Sequence, residues 1–145
     1  HTYQGHPTAC AAGIAVLQTM LEQNLPEQVK EKGSGLRQAL QQQFAEHPNV
    51  GDVRGRGLFL GIELVQDKQT KEPLNSNFNL PEQIRHTAMQ HGLLCYPMGG
   101  TIDGRRGHHV LLAPPFIIND AELELIVERL SSTLNAILPA LDQAA

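Results

Sequence analysis

Apolar positions recur every three or four residues over Pro7–Gln23, where Ile14, Leu17 and Leu21 share a face with Ala12, Ala15 and Val16 beside them, and this spacing predicts a first helix. Its other small residues, Ala9, Ala11 and Gly13, would let another element pack very close. Asn24-Leu25-Pro26 ends this helix and starts the next, with Asn24 as the N-cap and Pro26 near the first helical position. The second helix covers Pro26–Ala45, with Leu25, Val29, Leu36, Leu40 and Phe44 as its apolar stripe and Lys30, Lys32 and Arg37 on the solvated side. Gly33 and Gly35 each cost a helix about 1 kcal/mol relative to alanine, which makes Gly33-Ser34-Gly35 the place for a break or kink.

After the turn His47-Pro48-Asn49 the hydrophobic period changes to two. Val50–Arg54 and Leu58–Val65 read as strands joined by Arg54-Gly55-Arg56-Gly57, and in the second Leu58, Leu60, Ile62 and Leu64 form the core face. Gln66–Asn79 is polar and reads as an exposed loop carrying Lys68 and Lys71. A third helix follows over Pro81–His91, with Leu80, Ile84, Ala88 and Met89 inward and Gly92 as the left-handed stop. Leu93–Tyr96 is a short strand, Pro97–Gly107 a glycine-rich loop, and His108–Leu112 a strand ended by Ala113-Pro114-Pro115. The last helix begins at Asn119 or Asp120, where Asn119 and Glu122 have capping-box spacing, and its stripe from Leu123 to Ile137 carries it to about Leu138, leaving Pro139–Ala145 as a tail. The order predicts an α+β fold in which a small, mainly antiparallel sheet is covered by helices on one face.

Composition narrows the function classes. The 145 residues suit one domain, and 41% hydrophobic with 18% charged residues describes an ordinary globular chain. A net charge of -4 argues against a nucleic-acid or anionic-membrane surface, and no apolar run is long enough for a membrane span or signal peptide. Cys10 and Cys95 read as buried thiols of a cytoplasmic protein rather than a disulfide. His86 and His91 fall on different sides of their helix, and His108 and His109 on opposite faces of a strand, so no metal site is predicted. With no initiator methionine, the chain reads as a piece of something longer.

Two stretches carry candidate chemistry. The turn His1–Pro7 runs into the first helix, where Thr2 and Tyr3 offer hydroxyls, Gly5 allows close backbone approach and Pro7 suits the first helical position. Free N–H groups and the helix dipole there favour an anion, most naturally a phosphate, although every helix needs a start of some kind. In the glycine-rich loop, adjacent Arg105 and Arg106 could grip a carboxylate bidentately or simply be solvated loop charges. Arg54 and Arg56 read as turn or interface residues.

The stretch from Thr2 to Leu17, TYQGHPTACAAGIAVL, resembles the opening motif of the C-terminal region of class III aminotransferases, pyridoxal-phosphate enzymes of fold type I. VRGRGLFLGIEL and GRRGHHVLLAPPFII resemble two further motifs of the same family, in the same order, with His108 where an acidic residue is usual. The resemblance implies the small C-terminal domain, residues 1–145, with residues 1–23 leading in from a large domain upstream. It implies that Thr2 reaches the phosphate of a cofactor held mainly by the other subunit of a homodimer, and that Arg106, or its neighbour Arg105, binds the substrate carboxylate. His6 and Pro7 would shape the turn. The reaction implied moves an amino group from an amine or amino acid to a keto acid. It requires a Schiff-base lysine, and Lys30, Lys32, Lys68 and Lys71 lie on a polar helix face or in an exposed loop, so that lysine is expected upstream of His1 and the chain alone is expected to be inactive. The alternative is a free-standing α+β module, descended from such an enzyme, that binds an amino acid or mediates dimerisation.

Overall fold

Four helices and four strands follow one another as α1 (Pro7–Glu22), α2 (Leu25–Gln43), β1 (Val50–Arg56), β2 (Phe59–Leu64), α3 (Leu80–Gln90), β3 (Tyr96–Gly99), β4 (His108–Leu112) and α4 (Asp120–Asp142). The computed structural model describes residues 2, 4–74 and 79–142. His1 and Tyr3 of the opening motif, part of the polar loop and the last three residues lie outside them. The strands form one antiparallel sheet in the order β1-β2-β4-β3.

Register makes one face of this sheet apolar. Val53, Ile62, Val110 and Pro97 lie side by side across the four strands and are all buried. On that face the sheet meets the apolar stripes of α2, α3 and α4, where Leu40, Ile84, Leu130 and Leu134 are closed off from solvent. The neighbouring row, Arg54, Gly61, Leu111 and Tyr96, points the other way, as does Asp52, Glu63, His109 and Met98. Among the described residues, no helix lies over this second face. The α+β arrangement expected from the sequence is thus present, with the helices on one side.

Several boundaries differ from the sequence reading. Asn24 does not cap α2 through its side chain; it adopts the left-handed conformation at φ 49° and joins two nearly continuous helices, a conformation asparagine tolerates. Nor does α2 break at its glycines. Gly33 is buried against the β1–β2 turn, and a Cβ there would sit 2.2 Å from the carbonyl carbon of Gly57, so the glycine serves close approach rather than flexibility. The β1–β2 ladder runs on to Arg56 opposite Phe59, leaving only Gly57 and Leu58 as the turn.

The strand expected at Leu93–Tyr96 lies instead at Tyr96–Gly99. Leu93 N–H donates to Ala88 O at 2.8 Å and Gly92 N–H to Met89 O at 3.0 Å, a paired closure of the end of α3 that commits Leu93 to the cap and delays the strand. β3 then tolerates Pro97 because it is an edge strand. Met89, expected inward, is exposed. The polar loop is not wholly exposed: Leu74 is buried and Val65 pairs with Pro73. At the last helix the capping box forms as expected, Asn119 N–H donating to Glu122 Oε2 at 3.0 Å and Glu122 N–H to Asn119 Oδ1 at 2.9 Å. That helix continues to Asp142, past the tail boundary at Pro139.

Candidate functional site

The β3–β4 loop is built around one carboxylate. Asp103 Oδ1 accepts the backbone N–H of Arg105 at 3.0 Å and of Arg106 at 2.7 Å, and its Oδ2 accepts Arg106 Nε–H at 2.8 Å. Aspartate before glycine favours such a turn, because the short side chain can stand in for a backbone acceptor. Ile102 N–H donates to Arg106 O at 3.0 Å and Gly104 N–H to Gly100 O at 2.9 Å, closing the loop from within. Gly107 completes it at φ 85°, where a Cβ would meet Thr101 Oγ1 at 2.5 Å. These hydrogen bonds, chiefly from Arg106, hold the Asp103 carboxyl down at about 2, and the same contact raises the Arg106 guanidinium above its ordinary value. Arg105 and Arg106 are both exposed; among the described residues the Arg105 guanidinium makes no ion pair.

Thr2 sits in the exposed turn before α1, where Gly5 has φ 76° and open space around its Cα. The first turn of α1 has no side-chain cap and no acidic residue, so its N–H groups are open to an outside acceptor. No hydrogen bond or ion pair among the described residues connects Thr2 with the β3–β4 loop. α1 itself buries nothing, and Ile14, Leu17 and Leu21 are 57%, 60% and 77% exposed. Cys10 on it is exposed, against the sequence expectation, whereas Cys95 is half-buried and burial pushes its thiol up to about 11.

On the open face of the sheet Arg54 pairs with Glu63 at 2.6 Å and Asp52 at 3.0 Å. His109 lies across from Glu63 and Met98; burial and Arg54 lower its pKa, with Glu63 acting against them. His108 points to the covered side, where burial lowers its pKa and its Nδ1 has no partner among the described residues. The two histidines therefore diverge as expected, and among the described residues no three potential ligands gather around a metal position.

The four lysines are engaged with oxygen acceptors. Lys30 pairs with Glu27 at 2.7 Å, and Lys32, which does not face water as expected, donates to Ile118 O at 2.7 Å. Lys68 donates to Phe44 O at 3.0 Å and to Ala45 O, at the end of α2, and Lys71 to Gly51 O. Each Nζ thus already has an oxygen partner within the chain. The sequence pattern missed the ties of Lys32, Lys68 and Lys71 because they join residues distant along the chain. It also missed Asp103, which the Asp-Gly pair could have signalled.

The class III aminotransferase family model matches residues 1–134. The chain belongs to the class III aminotransferases. It is 45% identical over 140 residues to an uncharacterized aminotransferase of Schizosaccharomyces pombe, covering 97% of this chain and 30% of that protein. The structure resembles a Bacillus anthracis aminotransferase (36% identity, TM-score 0.84, 94% of this chain and 30% of that one). It also resembles an (S)-enantioselective omega-transaminase from Thermomicrobium roseum (32% identity, TM-score 0.83, 95% and 29%). The chain thus spans about 30% of the length of the aminotransferases it matches. Membership implies pyridoxal phosphate as cofactor. The open helix start beside Thr2 offers the donors that the phosphate end of that group needs, and the four lysines each have an oxygen partner already.

Proposed function

We propose that this chain is the C-terminal portion of a pyridoxal-phosphate aminotransferase that moves an amino group from an amine or amino acid to a keto acid, and that it is inactive alone. The observation that carries the reading is the family match along a chain whose four lysines are tied to oxygen acceptors. When bound, the cofactor supplies the electron sink for the transfer. What this chain supplies is binding and orientation.

Thr2 donates its hydroxyl to the cofactor's phosphate in the other subunit of a homodimer, beside the open N–H groups of α1. That no hydrogen bond or ion pair among the described residues joins Thr2 to the arginine loop is consistent with its serving a second subunit's site. Arg106 binds the carboxylate of the substrate, with Arg105 the neighbour that could replace it. The uncovered apolar residues of α1 pack against the rest of the enzyme. Such an enzyme works in the cytoplasm.

One experiment compares the intact enzyme, its Thr2→Val variant and this chain alone, each titrated with cofactor and assayed for transamination. Loss of one hydrogen bond to a charged group should weaken cofactor affinity about ten-fold in the variant, and the chain alone should neither turn over nor bind amino acids. Turnover by the chain alone would overturn the inactivity, saturable amino-acid binding without turnover would favour the free-standing module, and unchanged affinity in Thr2→Val would remove Thr2 from the phosphate site.

A further inference from the structure

Two adjacent arginines leave open which one meets a carboxylate, and the loop distinguishes them. Asp103 uses one oxygen to fix the turn, through the N–H groups of Arg105 and Arg106, and the other to hold Arg106 Nε–H. The turn and the guanidinium are thereby set by the same carboxylate. Since the contact is made through Nε, the terminal Nη1 and Nη2 edge of Arg106, which has no hydrogen-bond partner among the described residues, can meet a second carboxylate bidentately. Arg105 has no such tether among the described residues and keeps the rotamer freedom of a long exposed side chain. The loop is anchored on β4, a central strand between β2 and β3, and is closed by its own backbone hydrogen bonds.

We propose that Asp103 is the positioning residue that makes Arg106, rather than Arg105, the carboxylate-binding group. This inference rests on the arginine role proposed above and adds how that role is assigned. Tethering removes conformational freedom before the ligand arrives, so less is lost on binding. Asp103 does not touch substrate; it acts through Arg106.

Asp103→Asn separates positioning from folding. The amide oxygen of asparagine can still accept the two backbone N–H groups, but its NH2 would face Arg106 Nε–H donor to donor, and the tether is lost. The test uses the intact enzyme with two unreactive or carboxylate-free probes, propionate and propylamine, whose dissociation constants are measured by calorimetry. Arg106→Gln and Asp103→Asn should each weaken propionate about five-fold, with propylamine unchanged and Arg105→Gln without effect. On the Arg106→Gln background, adding Asp103→Asn should change nothing further, whereas a merely structural role would still weaken binding.

The arms fail differently. No measurable propionate binding by the intact enzyme, or no loss in Arg106→Gln, would overturn the arginine role itself. Loss in Arg106→Gln with unchanged or tighter binding in Asp103→Asn would leave that role standing and overturn the positioning by Asp103, since the carboxylate would then be idle or a competitor.

Discussion

His108 shows how a single residue couples this fold to pH. It lies on the covered side of β4, 5% exposed, with its Nδ1 unpartnered among the described residues, and burial lowers its pKa below 6.5. His47 and His109 are lowered as well, both chiefly by burial. A folded-state pKa below the unfolded one means that the unfolded chain takes up protons first. The stability from keeping these imidazoles neutral is therefore complete above 6.5 and is lost as pH falls through the lowered folded values. Asp67 and Asp103 are shifted below 3.8 and stay ionised throughout that window. The urea midpoint should drop between about pH 7.5 and about pH 5, and His108→Leu should flatten part of the drop; an unchanged slope in that variant would show that His108 does not contribute. At this scale the sequence showed the divergence of His108 and His109 through strand alternation alone. It could not show the Asp103 tether or the lysine contacts, which depend on where a loop closes and on which carbonyls a fold brings near.

At the scale of elements, α2 carries two glycines with opposite meanings. Both appeared as helix weaknesses in the sequence, yet only Gly33 faces the β1–β2 turn, where a Cβ would lie 2.2 Å from Gly57. Gly35 is exposed with nothing within 4 Å of its missing Cβ. Gly33→Ala should destabilise by about 1–3 kcal/mol through overpacking, whereas Gly35→Ala should stabilise by up to about 1 kcal/mol through helix propensity. Urea denaturation of the two variants checks this directly, and the same sign for both would contradict the packing of α2 on the hairpin. Hydrophobic period located α2, α3, β2, β4 and α4 to within a few residues, because each buries one stripe against one layer. It placed β3 too early, since Leu93 is apolar whether it enters a strand or closes a helix, and only the hydrogen bond to Ala88 distinguishes the two.

For the whole molecule, the uncovered surfaces are as informative as the core. The sheet presents Arg54, Glu63, His109 and Tyr96 on a face that no helix among the described residues covers, and no apolar residue of α1 is fully buried. The apolar spacing of α1 was legible in the sequence, but its exposure was not, because period alone does not show what covers a stripe. That exposure fits a chain spanning about 30% of the aminotransferases it matches. The family was legible for a different reason: three motifs, each surrounding a turn whose backbone demands particular residues, lie in the right order along the chain. We propose that this portion orients cofactor and substrate but does not hold the cofactor covalently. The most direct test is to reduce the intact, cofactor-loaded enzyme with borohydride and map the labelled lysine by peptide mass spectrometry. The account predicts a single labelled lysine outside residues 1–145; stoichiometric label on Lys30, Lys32, Lys68 or Lys71 would contradict it.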